Sequence, residues 1–326
     1  KQIKRLDSLS TISFLQKHVI FNTTINKQEK QQAMTNEAQF ILNRNITPEN
    51  ISFYGEYGYL VARGLFSSAE VEELKNDTAK IFKGEYGQVE GMLPVGEDES
   101  DADILKKYVA IHFPHKISPV IKRYLSHTAV TDILTKVMSP NVKCMQSMLF
   151  VKGPGKAGQS WHQDEFYIPT RDKSLIGVWI AIDKASVENG CLWVIPGSQK
   201  SGYIMARVEN KSGEYADVDT IDVSGYAAGE LIPLEAAKGD TVFFNGYLLH
   251  SSLRNKTGDN FRTALVNHYM SAESMLPWDQ DGKFPLTEDM RDIVMVAGTD
   301  PYAYRPIVNL NQPYLRPEVL KIKTNL

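Results

Sequence analysis

Cysteine is scarce in this chain. Two thiols occur in 326 residues, Cys144 and Cys191. Neither sits in a zinc or redox spacing, and two buried thiols in a reducing compartment are expected. Long apolar runs are missing too: none approaches the roughly 18 residues of a spanning helix, so no membrane span is expected. There is no excess of positive charge. The net charge of −3 gives nothing to hold nucleic acid or an anionic membrane surface. No internal repeat is visible. The first residues lack the apolar core of a secretory signal, and their basic, Ser/Thr-rich composition reads as a surface arm rather than a transit peptide. The last three residues, Thr324, Asn325 and Leu326, are not the receptor-read peroxisomal tripeptide. A cytoplasmic protein is expected.

What is present is ordinary globular composition, 42% hydrophobic and 23% charged, arranged in stages. Residues 1–50 are a polar arm, in which "NKQEKQQAMTNEAQFILNR" has some helical character. A helical flank over 51–141 follows. In it Tyr57 to Leu65 reads as a short strand, and Ser67 with Glu70 forms a capping box ahead of Val71, Leu74, Ile81 and Phe82. "GMLPVGEDESDADI" reads as a solvated acidic loop, and Ser118–Pro119 and Thr128 each signal a helix start. From Val142 the period becomes two. "VKCMQSMLFVKG", "QSWHQDEFYI", "LIGVWIAIDKA", "GCLWVIPGS", "LIPLEAAKGDTVFFNG", "LLHSSLRN" and "RTALVNHYMSA" are β-rich runs divided by turns. Helices first and then many strands means α+β, mostly β, with a sandwich or barrel over 142–278. Residues 200–229 lack strong periodicity and read as a lid loop. The Pro/Tyr-rich residues 279–326 read as a tail packed on the domain surface.

The stretch "SWHQDEFY" puts His162 and Asp164 two positions apart in a run that reads as a strand, so both point to one face. A carboxylate turned inward costs several kcal/mol unless something positive meets it. A divalent metal, a structural Arg or Lys, or solvent at an edge would each serve. The rest of the chain gives the pair a context. His250 follows a strand and turn far downstream, and two histidines with one carboxylate make the facial triad that leaves three positions open on an octahedral iron. Twelve residues later Arg262 opens an apolar strand and needs an anion, for which its planar fork suits a carboxylate. The 5-carboxylate of 2-oxoglutarate is the expected anion.

The ordered set His-x-Asp, distal His and Arg, with its flanks "QSMLFVKGPG", "GVWIAID", "VENGCLWVIPGS" and "FRTALVNHYM", resembles the phytanoyl-CoA dioxygenase family of Fe(II)/2-oxoglutarate-dependent dioxygenases. The likeness is strongest to its phytanoyl-CoA dioxygenase domain-containing subgroup and runs from about Tyr57 to Ala272. It implies a double-stranded β-helix (jelly-roll, cupin-like) core flanked by N-terminal helices, so that residues 51–278 are one dioxygenase domain. It implies Fe(II) on His162, Asp164 and His250, and 2-oxoglutarate on Arg262, Ser252, Met148, Trp179 and Lys107. Gln146, sharing a face with Met148, is an amide donor to the 1-carboxylate of the keto acid. A small organic or lipid-like substrate would be hydroxylated, with O2 consumed and succinate and CO2 released. Family members that halogenate carry a small residue in place of the aspartate, so Asp164 implies hydroxylation. Gln199 departs from the histidine common in relatives, a change expected to tune substrate contacts.

Two other functions compete: a catalytically silent metal- or 2-oxoglutarate-binding member of the same fold, and a cupin-like metal enzyme without keto acid, which would not need Arg262. Other residues have blander readings. His112 and His115 flank Pro114, which breaks regular alternation, and a hydrogen-bonded or substrate-contacting role fits better than a second metal pair. His268 reads as a core histidine. "GPGKAG" lacks the Lys-Ser/Thr of a phosphate loop and reads as a turn. Trp161, Tyr167 and Trp193 read as core aromatics, with Tyr167 near enough to the ligands to line a pocket. Arg171, Lys173, Arg207 and Lys211 read as solvated cations rather than substrate contacts.

Overall fold

The computed structural model describes residues 37–276 and 290–318. Its strands in chain order are β1 (Phe40–Ile41), β2 (Tyr59–Ala62), β3 (Tyr108–His112), β4 (Val142–Lys152), β5 (Gln159–His162), β6 (Ile176–Ala181) and β7 (Leu192–Val194). They continue with β8 (Arg207–Glu209), β9 (Asp219–Ile221), β10 (Ile232–Leu234), β11 (Thr241–Asn245), β12 (His250–Ser252), β13 (Arg262–Ser271), β14 (Val294–Ala297) and β15 (Tyr314–Pro317). The major sheet runs β1-β2-β11-β6-β13-β4-β3-β15, with β14 also on β4. The minor sheet runs β10-β7-β12-β5, and β8 with β9 is a separate hairpin. Apart from the parallel pair β1–β2, the ladders are antiparallel. This is a jelly roll, the core that the resemblance implies.

Period-two alternation in β4 sorts side chains between two environments. Gln146, Met148, Phe150 and Lys152 face a cavity between the sheets. Leu149 and Val151 point the other way, into an apolar cluster that also holds Leu74, Ile121 and Ile133 from the helices. The helical layer therefore seals one face of the major sheet and leaves the other for chemistry. Cys144 and Cys191 are free and buried, and burial pushes both thiols up to about 12.

The helices are α1 (Pro48–Tyr57), α2 (Ser68–Lys83), α3 (Asp101–Lys106), α4 (Pro119–Leu125) and α5 (Thr128–Val137). The α2 capping box forms as expected, with Ser67 accepting from the Glu70 amide. At α4, Ser118 accepts from the Ile121 amide. Other expectations need correction. Tyr57 ends a helix rather than opening a strand, because Thr47 and Asn50 make a capping box around Pro48 and Gly58 closes α1 at φ 81°. The acidic loop contains α3, capped by Ser100. Thr128 is inside α5, whose N-cap is His127.

Three segments differ more. Of the N-terminal arm, residues 1–36 lie outside the described residues, but Phe40 and Ile41 pair with Val61 and Ala62 as an edge strand, not a helix. The 200–229 segment is built as the β8–β9 hairpin and is tied to the ligand strand: the Ser160 amide donates to Asp217 and the Ser160 hydroxyl to the Asp219 carbonyl. The tail does more than cover a surface. β15 pairs with β3 and β14 with β4, so residues 290–318 extend the major sheet. Among the described residues no helix is long and apolar enough to cross a membrane.

Candidate active site

His162 ends β5 and His250 begins β12, directly opposite each other in the ladder. Asp164 is not on the strand, as the sequence pattern suggested. It opens a 3-10 turn, Asp164–Phe166, but Gln163 between the ligands stays extended (φ −125°, ψ 129°), so the two-residue spacing still returns the carboxylate to the side of His162. Each histidine is fixed through its other ring nitrogen: Nδ1 of His162 lies 2.6 Å from the Ser160 carbonyl, and Nδ1 of His250 lies 2.9 Å from the Leu248 carbonyl. A carbonyl only accepts, so Nδ1 carries a proton on both rings and Nε2 is the atom each ring has left for a metal. Those two Nε2 atoms lie 3.6 and 3.5 Å from Asp164 Oδ1, and one donor atom from each of the three residues falls within 4.8 Å of the others. All three residues are buried. Two imidazole nitrogens and a carboxylate oxygen converging in a buried site fit a divalent metal.

The fourth residue of this cluster is one the sequence reading gave only as a core histidine. His268 does not sit apart in the core; its Nε2 is 3.1 Å from Asp164 Oδ2. It occupies the second carboxylate oxygen and leaves Oδ1 turned to the other histidines. Burial alone would raise the Asp164 carboxyl, but His250 and His268 outweigh it and hold the group well below the usual carboxylate range. The signal was in the sequence. His268 is six residues from Arg262 on one strand, an even count, so both point to the same face. Phe244 packs on the His250 ring at 4.6 Å, in space that only a glycine at 177 allows, since a Cβ there would lie 2.3 Å from the Phe244 ring.

The metal site opens into a cavity of about 380 Å³. The register sets its floor in rows. Gln146 lies across from His268; Met148 lies across from Val266, which in turn faces Trp179; Lys152 lies across from Arg262. Arg262 is buried, with its guanidinium 5.7 Å from the Trp179 ring centroid and its Nε donating to the Gly190 carbonyl. Lys152 donates to Ser252 Oγ at 2.8 Å and to the Leu253 carbonyl. Burial brings Arg262 down to about 10, and burial with the Arg262 charge pushes Lys152 well below its usual value. Neither cation has an acidic partner among the described residues. Two buried cationic groups side by side make an anion site. The structure thus brings Arg262, Ser252, Gln146, Met148 and Trp179 into one cavity with the three candidate metal ligands.

Lys107 is not among them. It caps α3, and its ammonium goes to the Pro94 carbonyl and Glu99. Lys152, which the sequence reading passed over, stands at the anion end instead. Gln199 also lies elsewhere, donating to the Glu56 carbonyl at the end of α1, so it does not tune the cavity. His112 and His115 part company: His115 Nδ1 bonds Ser147 Oγ at 2.6 Å away from the cavity, while His112 lines it. Tyr167 lines the mouth, its ring 6.1 Å from that of His162. Arg207 clamps Asp219 and Tyr167, and Lys211 sits on exposed Glu209, so neither is a free cation.

A jelly roll with a two-histidine, one-carboxylate centre at one end of its cavity and buried cations at the other defines a class, the non-haem Fe(II)/2-oxoglutarate-dependent dioxygenases. Comparison with known proteins narrows it. The family model for Phytanoyl-CoA dioxygenase (PhyH) matches residues 54–264, and the chain belongs to that family. It is 28% identical over 258 residues to phytanoyl-CoA dioxygenase 1 of Oryza sativa subsp. japonica, covering 70% of this chain and 90% of the relative. It is 30% identical over 244 residues to the peroxisomal phytanoyl-CoA dioxygenase of Homo sapiens, covering 72% of each. Among solved structures, the epimerase SnoN in complex with Fe3+, alpha ketoglutarate and nogalamycin RO shares the fold. Its TM-score is 0.53 at 18% identity, covering 72% of this chain and 90% of that one.

Proposed function

We propose that this chain hydroxylates a small organic substrate, consuming 2-oxoglutarate and O2 and releasing succinate and CO2. One observation carries the reading: an unsaturated donor set and an unpaired cation pair lie at two ends of one cavity, as a keto acid needs if one end is to reach a metal and the other a positive charge. His162, Asp164 and His250 would hold Fe(II), which when bound supplies the O2 activation that couples decarboxylation of the keto acid to oxidation of a C–H bond.

The protein's own residues do the rest. Arg262 anchors the distal carboxylate in a fork, with Lys152 and the Ser252 hydroxyl beside it. Trp179 and Met148 form the apolar wall between the ends, and Gln146 offers an amide at the metal end. Burial of the donors excludes water from the reacting face. The β8–β9 hairpin closes over the ligand strand and shields it.

The test is succinate formed from 2-oxoglutarate by anaerobically Fe(II)-loaded protein on admission of O2, beside Asp164→Ala. Slow uncoupled turnover that vanishes in the variant supports the oxygenase. Binding of 2-oxoglutarate with no succinate, across a broad substrate panel, would favour a silent binding protein. No binding of 2-oxoglutarate at all would sink the reading.

A further inference from the structure

Beyond the metal and keto-acid ends, the cavity has a third region, built by β3 and β15. His112 on β3 is 8% exposed and lines the cavity, yet neither of its ring nitrogens has a hydrogen-bond partner. Its face is taken: Tyr314 stacks on it at 4.3 Å and 9°. What remains available is the ring edge. A buried imidazole with both nitrogens bare costs free energy unless something in the cavity meets it.

Arg316 lines the same cavity, two residues along β15 from Tyr314 and on the same side. It lies across from Ala110 in the ladder. Arg316 is exposed, and its guanidinium has no hydrogen-bond or ion-pair partner among the described residues. The other cations of the cavity are engaged. Lys156 donates to the carbonyls of Leu105 and Tyr108 and pairs with Glu318, and Lys152 is held by Ser252 and Leu253. Nor do Arg316 and Arg262 serve one small anion together. They stand on β15 and β13, three strand spacings apart, roughly 14 Å along the sheet.

We infer that Arg316 and the edge of His112 bind a carboxylate of the substrate, so that the enzyme acts on a small organic acid whose apolar body lies over Met148 and Phe150. This rests on the oxygenase reading and adds the class of substrate to it. A single fork with a neighbouring imidazole matches a monoanion. Glu318 and Asp217 also line this cavity, and their charge disfavours a phosphate dianion. Burial, with the Arg316 charge next, brings His112 down to about 3, so its imidazole is neutral and offers one donor and one acceptor. His112 lies within the residues that the family model matches, and Tyr314 and Arg316 lie beyond them.

The experiment uses the full chain with 2-oxoglutarate. Straight-chain acids of a range of chain lengths are compared with their methyl esters, alkyl phosphates and CoA thioesters. Binding is read by calorimetry under anaerobic conditions, and stimulated succinate release is read separately. The expected result is an acid that binds at least tenfold more tightly than its ester, phosphate or thioester. In Arg316→Gln that acid falls to the level of the ester while the KM for 2-oxoglutarate is unchanged; Arg316→Lys recovers part of the preference. The inference is overturned if no acid in the panel outbinds its ester, if the phosphate or thioester binds as well, if Arg316→Gln keeps the preference, or if it raises the KM for 2-oxoglutarate. Acid binding with no succinate under any condition would instead count against the oxygenase reading and leave the carboxylate site standing.

Discussion

At the scale of single residues, the site depends on which atoms are already occupied. His162 and His250 spend Nδ1 on carbonyls, and Asp164 spends Oδ2 on His268. The remaining atoms converge because their alternatives are used. His268 would therefore act on a bound metal through the carboxylate, and residues in that position commonly change metal affinity by roughly 10–100-fold. Titration with Co(II) should show a loss of that size for His268→Phe and a smaller one for His268→Gln, which keeps a donor; equal affinity in all three would refute the role. Arg262 is a separate case. Removing one partner of a buried, hydrogen-bonded charge pair costs roughly 2–5 kcal/mol, so Arg262→Met should weaken 2-oxoglutarate binding by at least about 30-fold while Co(II) affinity holds. Unchanged 2-oxoglutarate affinity would favour the cupin-like enzyme without a keto acid.

At the scale of elements, the 200–229 segment and the candidate metal site share a residue. Gln163 sits between the two ligands, points away from them and is wholly buried. Its amide donates to the carbonyls of Tyr203 and Tyr247, and its oxygen accepts from the Met205 amide at 2.8 Å. One side chain thus joins the ligand segment, the start of the lid and the loop before His250. Gln163→Leu keeps the volume and removes three hydrogen bonds, each worth about 1 kcal/mol net. Exchange of the Met205 amide should speed up by roughly 10-fold or more relative to amides of β13. Exchange at the wild-type rate would show the lid to be held elsewhere. Elements of this kind were only partly readable in the sequence. Strands β4, β6 and β13 alternate cleanly, and Ser67–Glu70 announces α2, so the core and its inward faces could be derived. The capping box at Thr47 was missed because it falls at the end of the stretch read as a polar arm, and β8–β9 because a short hairpin held by contacts to β5 has little pattern of its own. The grouping of His162, Asp164 and His250 was legible from spacing and residue type. Lys152 and the role of His268 were not read, since both depend on which strands become neighbours.

At the scale of the whole molecule, what the sequence hid is the long-range return of the chain. Residues 290–318 come back to the edge of the major sheet, and Asp292 meets Lys116 at 2.8 Å through both oxygens. That clasp lies beside the turn carrying His115, which is 7% exposed and hydrogen-bonded to Ser147. Burial, with the Lys116 charge next, lowers the His115 imidazole from 6.5 to about 4, against a smaller upward pull from Asp292. The sign follows from linkage. A histidine depressed in the folded state is neutral there, while the unfolded chain takes up its proton near pH 6.5. Its contribution to stability is complete above that value and is lost as the pH falls toward 4. Between pH 7 and pH 5 the loss from this group is about 2 kcal/mol. Urea unfolding of the metal-free protein at the two pH values measures it. His115→Asn, which retains a polar contact for Ser147 but cannot titrate, should start less stable at pH 7 and then lose about 2 kcal/mol less than the wild type. The other buried histidines titrate in both proteins and cancel in the difference. Equal losses would mean that His115 is solvated in the folded chain and that the tail does not seal this corner of the sheet.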